Sequence, residues 1–260
     1  MNLKENYRNW LFRIWYGYVN KIDRDEEILL MNFGYNDTKQ TIRLDIRDEP
    51  DRYSIQLYHY LVSSVNLKNK DIAEIGCGRG GGLEYIMRQF SPNSAKGIDL
   101  DKHAIAFCNR HYSIHGLSFF QGDAQKISLD NNTCDVVINV ESSHRYSDMN
   151  LFLGEVHRIL RPAGYFLFTD FRFDFEIPSL QKELKSSALS FVKEEFINQQ
   201  VINALDSDDS RRRKLVKKLT PRILHKTALN FAGTIGSETY NRFVSREYVY
   251  FNYILQKNKS

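Results

Sequence analysis

The sequence predicts an α/β fold with a mostly parallel sheet, and three features predict it. From about residue 71, short apolar runs alternate with segments of helical periodicity, the pattern of βαβ units. The run "DIAEIGCGRGGG", residues 71–82, sets a glycine-rich turn between a strand and a helix. "CDVVINVESS", residues 134–143, is nearly continuous in Val and Ile at its centre, as expected of a strand covered on both faces. The 260 residues, 42% of them hydrophobic, suffice for one such domain with an insertion.

The elements follow in order. Near the start, Tyr7, Trp10, Leu11, Ile14, Trp15 and Tyr18 recur at i, i+3, i+4 spacing, so a helix with one aromatic face is expected. It packs on the domain or folds over the site; the alternative is a membrane-surface helix with Arg8 and Arg13 near the headgroups. "DIAEIG" is the first strand, and Leu83, Ile86, Met87 and Phe90 mark a helix that opens inside the glycine run. "AKGIDL" is the second strand, and Asp101 can cap the helix carrying Ile105 and Phe107. "LSFFQGD" and "CDVVINVESS" are the third and fourth strands. A helix with Phe152, Val156 and Ile159 stops at Arg161-Pro162-Ala163-Gly164, and "YFLFTDF" is the fifth strand. Beyond Arg172 the pattern turns helical and mixed in charge, apart from a sixth strand around "ALSFV"; "REYVYFNYILQK" is the last strand. The expected organisation is an N-terminal helical cap over 1–60, a core over 61–175, a helical lid over 176–246 and a final core strand over 247–260.

Composition narrows the classes. The net charge of +4 is too small to imply nucleic acid, and no apolar run approaches the roughly 18–20 residues that span a bilayer. No signal peptide is visible, and three scattered cysteines make neither a disulfide framework nor a zinc site. A cytoplasmic protein without a catalytic metal is expected, its oligomeric state open. The stretch 211–226 is rich in Lys and Arg and holds no acid. A solvated helical face is the ordinary reading, with contact to anionic lipid or an acidic partner as the alternative.

Gly76, Gly78 and Gly81 satisfy G-x-G-x-x-G, which alone does not separate a dinucleotide from S-adenosylmethionine (SAM). A dinucleotide needs a pyrophosphate at the helix start. SAM has no phosphate; it carries an ammonium and a sulfonium, which suit the carboxylate of Glu74 just before the loop, acting directly or through backbone and water. Cys77 lies inside that loop. Asp99 ends the second strand, where an acid can accept both ribose hydroxyls, and Leu100 beside it offers an apolar wall for adenine. Gly122-Asp123-Ala124 ends the third strand, where Asp123 can accept from the adenine amine. Acids at three successive strand ends are far more specific than any one.

The segment from about 48 to 172 resembles a Rossmann-like class I SAM-dependent methyltransferase. "EIGCGRGGG", "INVESSHRY", "FLGEVHRILRPAGYF" and "TDFR" are similar to the phthiotriolone and phenolphthiotriolone dimycocerosate methyltransferases and related natural-product O-methyltransferases, as are "DEPDRYSIQLYHYL" and "FAGTIGSETY". The resemblance covers most of the chain and is looser between about 180 and 225. It implies a sheet whose last strand is antiparallel, SAM as cofactor with S-adenosylhomocysteine as product, and a segment around Tyr58 and His59 that helps cover SAM. Ala163 stands where such enzymes often have a second glycine, a change expected only to stiffen the turn.

Ligands of such sheets bind outside the carboxyl ends of the strands, here at "NVESSHRY" and "TDFR". A hydroxyl acceptor must lose its proton, and His144 is the candidate base. Asp170 can orient His144 or bind the acceptor. Asn139, Glu141 and Ser142 lie beside the expected methyl donor, and Glu141 can hold the acceptor or the SAM ammonium. The leading expectation is methyl transfer to a hydroxyl of a small apolar, lipid- or polyketide-like acceptor. The alternatives are N- or C-methylation on the same fold, a nicotinamide-dependent reductase, and a SAM-binding protein without activity.

Overall fold

The computed structural model describes residues 28–39 and 42–259. The aromatic segment expected to form a helix near residues 7–18 lies outside them. Seven strands form one sheet in the order β3-β2-β1-β4-β5-β7-β6. They are β1 (Asp71–Ile75), β2 (Ser94–Asp99), β3 (Leu117–Gln121), β4 (Cys134–Val140), β5 (Leu160–Phe173), β6 (Leu189–Phe196) and β7 (Tyr248–Lys257). The first five pair in parallel, and β7 runs antiparallel between β5 and β6.

Helices cover both faces because successive strand residues point to opposite sides. Ile72, Val136, Ile138 and Leu167 face one buried cluster, shared with α1 (Arg52–Val62), α2 (Gly81–Phe90), α3 (Lys102–His111) and α6 (Asn198–Leu219). Their neighbours Ala73, Ile75, Val137, Phe166 and Phe168 face the other, covered by α4 (Met149–Ile159) and α5 (Ile177–Ser186). Two short helices, α7 (His225–Phe231) and α8 (Glu238–Val244), complete the insertion before β7. α1 runs through residue 60, and Leu57, Leu61 and Val62 are wholly buried with the core, so this helix belongs to the core layer. The Asp101 side chain accepts from His103 N–H at 2.8 Å, the cap its sequence position suggests.

Two details differ from expectation. Ala163 sits at φ +62°, so the residue replacing glycine does more than stiffen the turn: its Cβ is held in the left-handed region, at a cost of roughly 1 kcal/mol. The basic stretch is less solvated than its composition suggests. Arg211 and Arg212 pair with Asp208, Arg211 reaches Asp51 as well, and Arg213 pairs with Asp209. Asp208 and Asp209 lie one helical turn upstream and Asp51 stands before α1, so a search within 211–226 does not see them.

Candidate active site

The carboxyl ends of β1, β2, β4 and β5 open into a cleft of about 1130 Å³, roofed by Leu29–Asn32 and by Phe175, Ser179 and Glu183. A smaller, mainly apolar cavity of about 160 Å³ adjoins it, walled by Phe33, Phe171, Leu215, Leu219 and Phe231. Glu141, His144, Arg145 and Phe171 line both.

The glycine turn shapes one end. Gly76 and Gly78 hold φ +78° and +52°, which residues with a Cβ resist. A Cβ on Gly76 would fall 2.2 Å from Ser142 Oγ, so that glycine admits Ser142 against the loop. A Cβ on Gly78 would meet only Met31, at 3.5 Å, so its backbone is open to the cleft. Asp99 takes Gly78 N–H on Oδ2 and Asp101 N–H on Oδ1, both at 2.8 Å. Each oxygen keeps a further acceptor position. Leu100 is 58% exposed beside it. Cys77, Gly122, Asp123 and Ala124 also line the cleft; Asp123 Oδ1 additionally caps the next turn through Gln125 N–H at 2.9 Å.

Three expected contacts take other places. Glu74 is fully buried beneath the cleft, not exposed on its wall. Its Oε1 accepts from Tyr58 OH at 2.6 Å and its Oε2 has no partner among the described residues. Burial lifts its carboxyl to about 8, against the Tyr58 bond and with the help of nearby Asp99. Any effect of Glu74 on a ligand therefore passes through Tyr58 and the loop. His59 points away, bonding Tyr85 OH through Nδ1 at 2.7 Å and packing on Phe90. Only its neighbour Tyr58 reaches the cleft, where its ring fills the space a Cβ on Gly82 would need, 2.1 Å away. Asn139 is buried as a brace: its Nδ2 donates to Ile75 O and Ser142 Oγ, each at 2.8 Å, and to Tyr146 OH at 3.1 Å. Strand alternation stops just beyond it, because Glu141 turns to φ +44°. Left-handed backbone at a non-glycine residue is the kind of strain that gathers at functional sites.

That turn aims Glu141 at the roof. Its Oε1 accepts Phe33 N–H at 2.7 Å and Tyr250 OH at 2.6 Å. Burial raises its carboxyl to about 8, and the two donors pull against that shift. The turn also launches the Ser143–Arg145 segment toward β5. There Asp170, fully buried, accepts from His144 Nδ1 at 2.7 Å, His144 N–H at 3.0 Å, Ser143 Oγ at 2.6 Å and Phe171 N–H at 2.8 Å. Arg172 Nη1 stands 3.1 Å away. Burial alone would raise the Asp170 carboxyl; His144, Arg172 and the hydrogen bonds outweigh it and hold the group well below the usual carboxylate range.

An ionised Asp170 fixes the imidazole tautomer, since Nδ1 must carry the hydrogen. Arg145 Nε donates to His144 Nε2 at 3.2 Å, which requires a lone pair there and gives the same answer. Burial lowers the His144 pKa to about 4, Asp170 pulls it back up, and Arg145 and Arg172 push it down again. The imidazole is therefore a neutral hydrogen-bond acceptor near pH 7, on a residue that lines both cleft and cavity.

Residues 73–168 match the family model described as a methyltransferase domain. The chain is 39% identical over 210 residues to a fatty-acid O-methyltransferase of Mycolicibacterium smegmatis, covering 80% of this chain and 77% of that one. It is 33% identical over 249 residues to a phthiotriol/phenolphthiotriol dimycocerosates methyltransferase of Mycobacterium tuberculosis, covering 95% and 92%. This chain belongs to the SAM-dependent methyltransferases. Among solved structures, the [4+2]-cyclase SpnF superposes with a TM-score of 0.71 at 14% identity, covering 97% of this chain and 95% of that one. That likeness shows the fold alone, since one scaffold hosts several chemistries.

Membership removes the nicotinamide reading, and the methyltransferase's own groups fit SAM. Asp99 has acceptor capacity left for two ribose hydroxyls, the backbone at Gly78 is open, and Leu100 offers an apolar surface. Asp99→Ala removes that acceptor and strands the Gly78 and Asp101 amides. SAM affinity measured by calorimetry should fall by roughly 1–3 kcal/mol; unchanged affinity would exclude Asp99 as the ribose acid.

The sequence alone missed the roof Leu29–Asn32 and the arginines beside the His144–Asp170 pair. Arg145 and Arg172 lie inside "INVESSHRY" and "TDFR", one and two residues from His144 and Asp170. A basic residue next to a candidate base and its acid was the available signal. The roof left none, because its apolar residues fit a core strand equally well. Among the described residues no group of three or more His, Cys, Asp or Glu gathers as a metal site, and no helix is long and apolar enough to cross a membrane.

Proposed function

We propose that this methyltransferase methylates a hydroxyl oxygen on a small apolar, lipid-like acceptor, with His144 as the general base. The observation that carries the reading is the position of His144, backed by Asp170 and lining both the wide cleft and the apolar cavity. SAM, when bound, supplies an electrophilic methyl group and departs as S-adenosylhomocysteine. The acceptor's apolar body would occupy the cavity among Phe33, Leu215 and Phe231 and bring its oxygen to His144 Nε2. His144 takes the hydroxyl proton as the oxygen–carbon bond forms, and Asp170 stabilises the resulting imidazolium. Proximity and exclusion of water supply much of the rest. A fatty-acid O-methyltransferase among the relatives agrees with an apolar chain that carries the oxygen, though a fatty acid offers a carboxylate and so fits the second reading below.

One observation favours a second reading. The lone pair of His144 is occupied by Arg145, and Arg211 and Arg212 also line the cavity. A carboxylate acceptor needs no base and would be held by a guanidinium. The two readings separate by product. Incubating the enzyme with SAM and with a long-chain alcohol, a phenol and a fatty acid, then resolving products by mass spectrometry, should give a methyl ether stable to alkali. A methyl ester as sole product would replace the first reading by the second, and methylation only of amines would end both.

A further inference from the structure

We propose that the hairpin formed by the end of α6, the turn Arg222–Leu224 and α7 docks on an anionic membrane surface, so that an apolar acceptor can pass from the bilayer into the adjoining cavity. The idea that the cavity takes a lipid rests on the function proposed above; the docking surface stands on its own observations. No acidic residue occurs between residues 210 and 237. The three arginines that begin this stretch are held by Asp208, Asp209 and Asp51. Lys214, Lys217, Arg222 and Lys226 lie beyond those pairs and are exposed.

Among these cations stands Ile223, at 89% exposure, on the turn that joins the two helices. It belongs to neither buried cluster. One exposed aliphatic side chain on a hairpin that carries exposed lysine and arginine suits the headgroup region, where cations meet anionic lipid and the apolar tip enters the acyl boundary. A folded acidic partner would call for a broader, partly apolar face. The hairpin is two-sided: Leu215, Leu219 and Ala228 wall the cavity, while Lys214, Lys217 and Lys226 face outward. The cavity is therefore one helix layer away from the surface that would meet the bilayer.

Flotation of the full chain with vesicles tests this. The chain should float with phosphatidylcholine vesicles containing about one third phosphatidylglycerol, and not with pure phosphatidylcholine, and salt should release it within the range where surface charges are screened. Ile223→Asp and the triple variant Lys214→Glu, Lys217→Glu, Arg222→Glu should each lower the bound fraction by about tenfold or more. Both should retain the wild-type melting point and wild-type turnover on a short, water-soluble acceptor. Their turnover on an acceptor embedded in anionic vesicles should fall in step with binding. A wild-type chain that ignores anionic vesicles would overturn the proposal, as would undiminished binding by both variants. Loss in the charge variant alone, with Ile223→Asp binding normally, would point to an acidic macromolecule instead and also overturn it. If docking behaves as described but no lipid oxygen is methylated, only the acceptor reading fails.

Discussion

Replacing His144 with Ala should lower turnover on a hydroxyl acceptor by ~10²–10⁴, the range associated with a positioned acid–base group. SAM affinity should stay close to wild type if the cofactor is held, as the proposed reading has it, by the glycine turn, Asp99 and the strand end at Asp123. Calorimetry with SAM and steady-state turnover, run on the same preparation, check both halves. The imidazole bonds Asp170 through Nδ1 and accepts from Arg145 at Nε2, so its loss removes a contact from each of them. Equal loss of SAM binding and turnover would make His144 a cofactor or folding residue instead. Near-normal turnover of a fatty acid by the variant would select the carboxylate reading.

Asp170→Ala should have the largest effect on stability of any single change in the site. The carboxylate is fully buried and accepts from His144, Ser143 and two backbone amides, with Arg172 beside it. Removing it leaves the buried Arg172 guanidinium, still bonded to Phe171 O and Ser143 Oγ, without its counter-charge and several donors without their acceptor, at a cost of about 3–5 kcal/mol. A drop in melting midpoint on the order of 10 °C is the corresponding thermal signal. Asp170→Asn keeps the shape but not the charge, and no longer enforces the Nδ1–H tautomer, so it should fold better yet lose ~10²–10⁴ in turnover.

The same pair makes its own contribution to the pH dependence of stability. Both native pKa values are depressed, so at these two groups the unfolded chain binds more protons on acidification and their share of stability falls with pH; Glu74 and Glu141, whose carboxyls burial raises to about 8, act in the opposite direction. His144 contributes to that loss between about 6.5 and 4, and Asp170 below its ordinary value near 4. Urea titrations at several pH values should show the Asp170 part vanish in Asp170→Asn. A stability difference between wild type and His144→Ala that is level from pH 7 to 4 would contradict the burial argument.

Much of the cleft was legible because its signals are local. Val136, Val137, Ile138 and Val140 announce a doubly covered strand, the glycines announce the turn, and Asp99 sits at a strand end where topology makes its place predictable. The aromatic last strand was legible too; its position between β5 and β6 was not, because neighbour order depends on pairing between distant segments. Side-chain depth was equally hidden. Glu74 and Asn139 have strand spacing suited to a ligand, yet what covers them, Tyr58 of α1 and Tyr146 beyond the Ser143–Arg145 turn, depends on how neighbouring elements fold back, which strand spacing does not show. His59 and Tyr58 are adjacent on one helix, and neighbours on a helix point about 100° apart, so only one reaches the cleft. The ordinary histidine pKa near 6.5 also misleads here, since burial carries His144 down to about 4.

The most direct test of His144 as the base is the pH profile of single-turnover methyl transfer to an alcohol acceptor, measured for wild type and His144→Ala after brief pH jumps. An alcohol does not itself titrate in this range, so a limb reports the enzyme. The wild-type rate should be level from about pH 6 to 8 and fall below it with a midpoint near 4, as the imidazole protonates and loses its lone pair. In the variant that limb should vanish and the remaining slow rate should climb with hydroxide. A variant that keeps the same acid limb, or transfers methyl at the wild-type rate across the range, would contradict the account and take His144 out of the proton transfer.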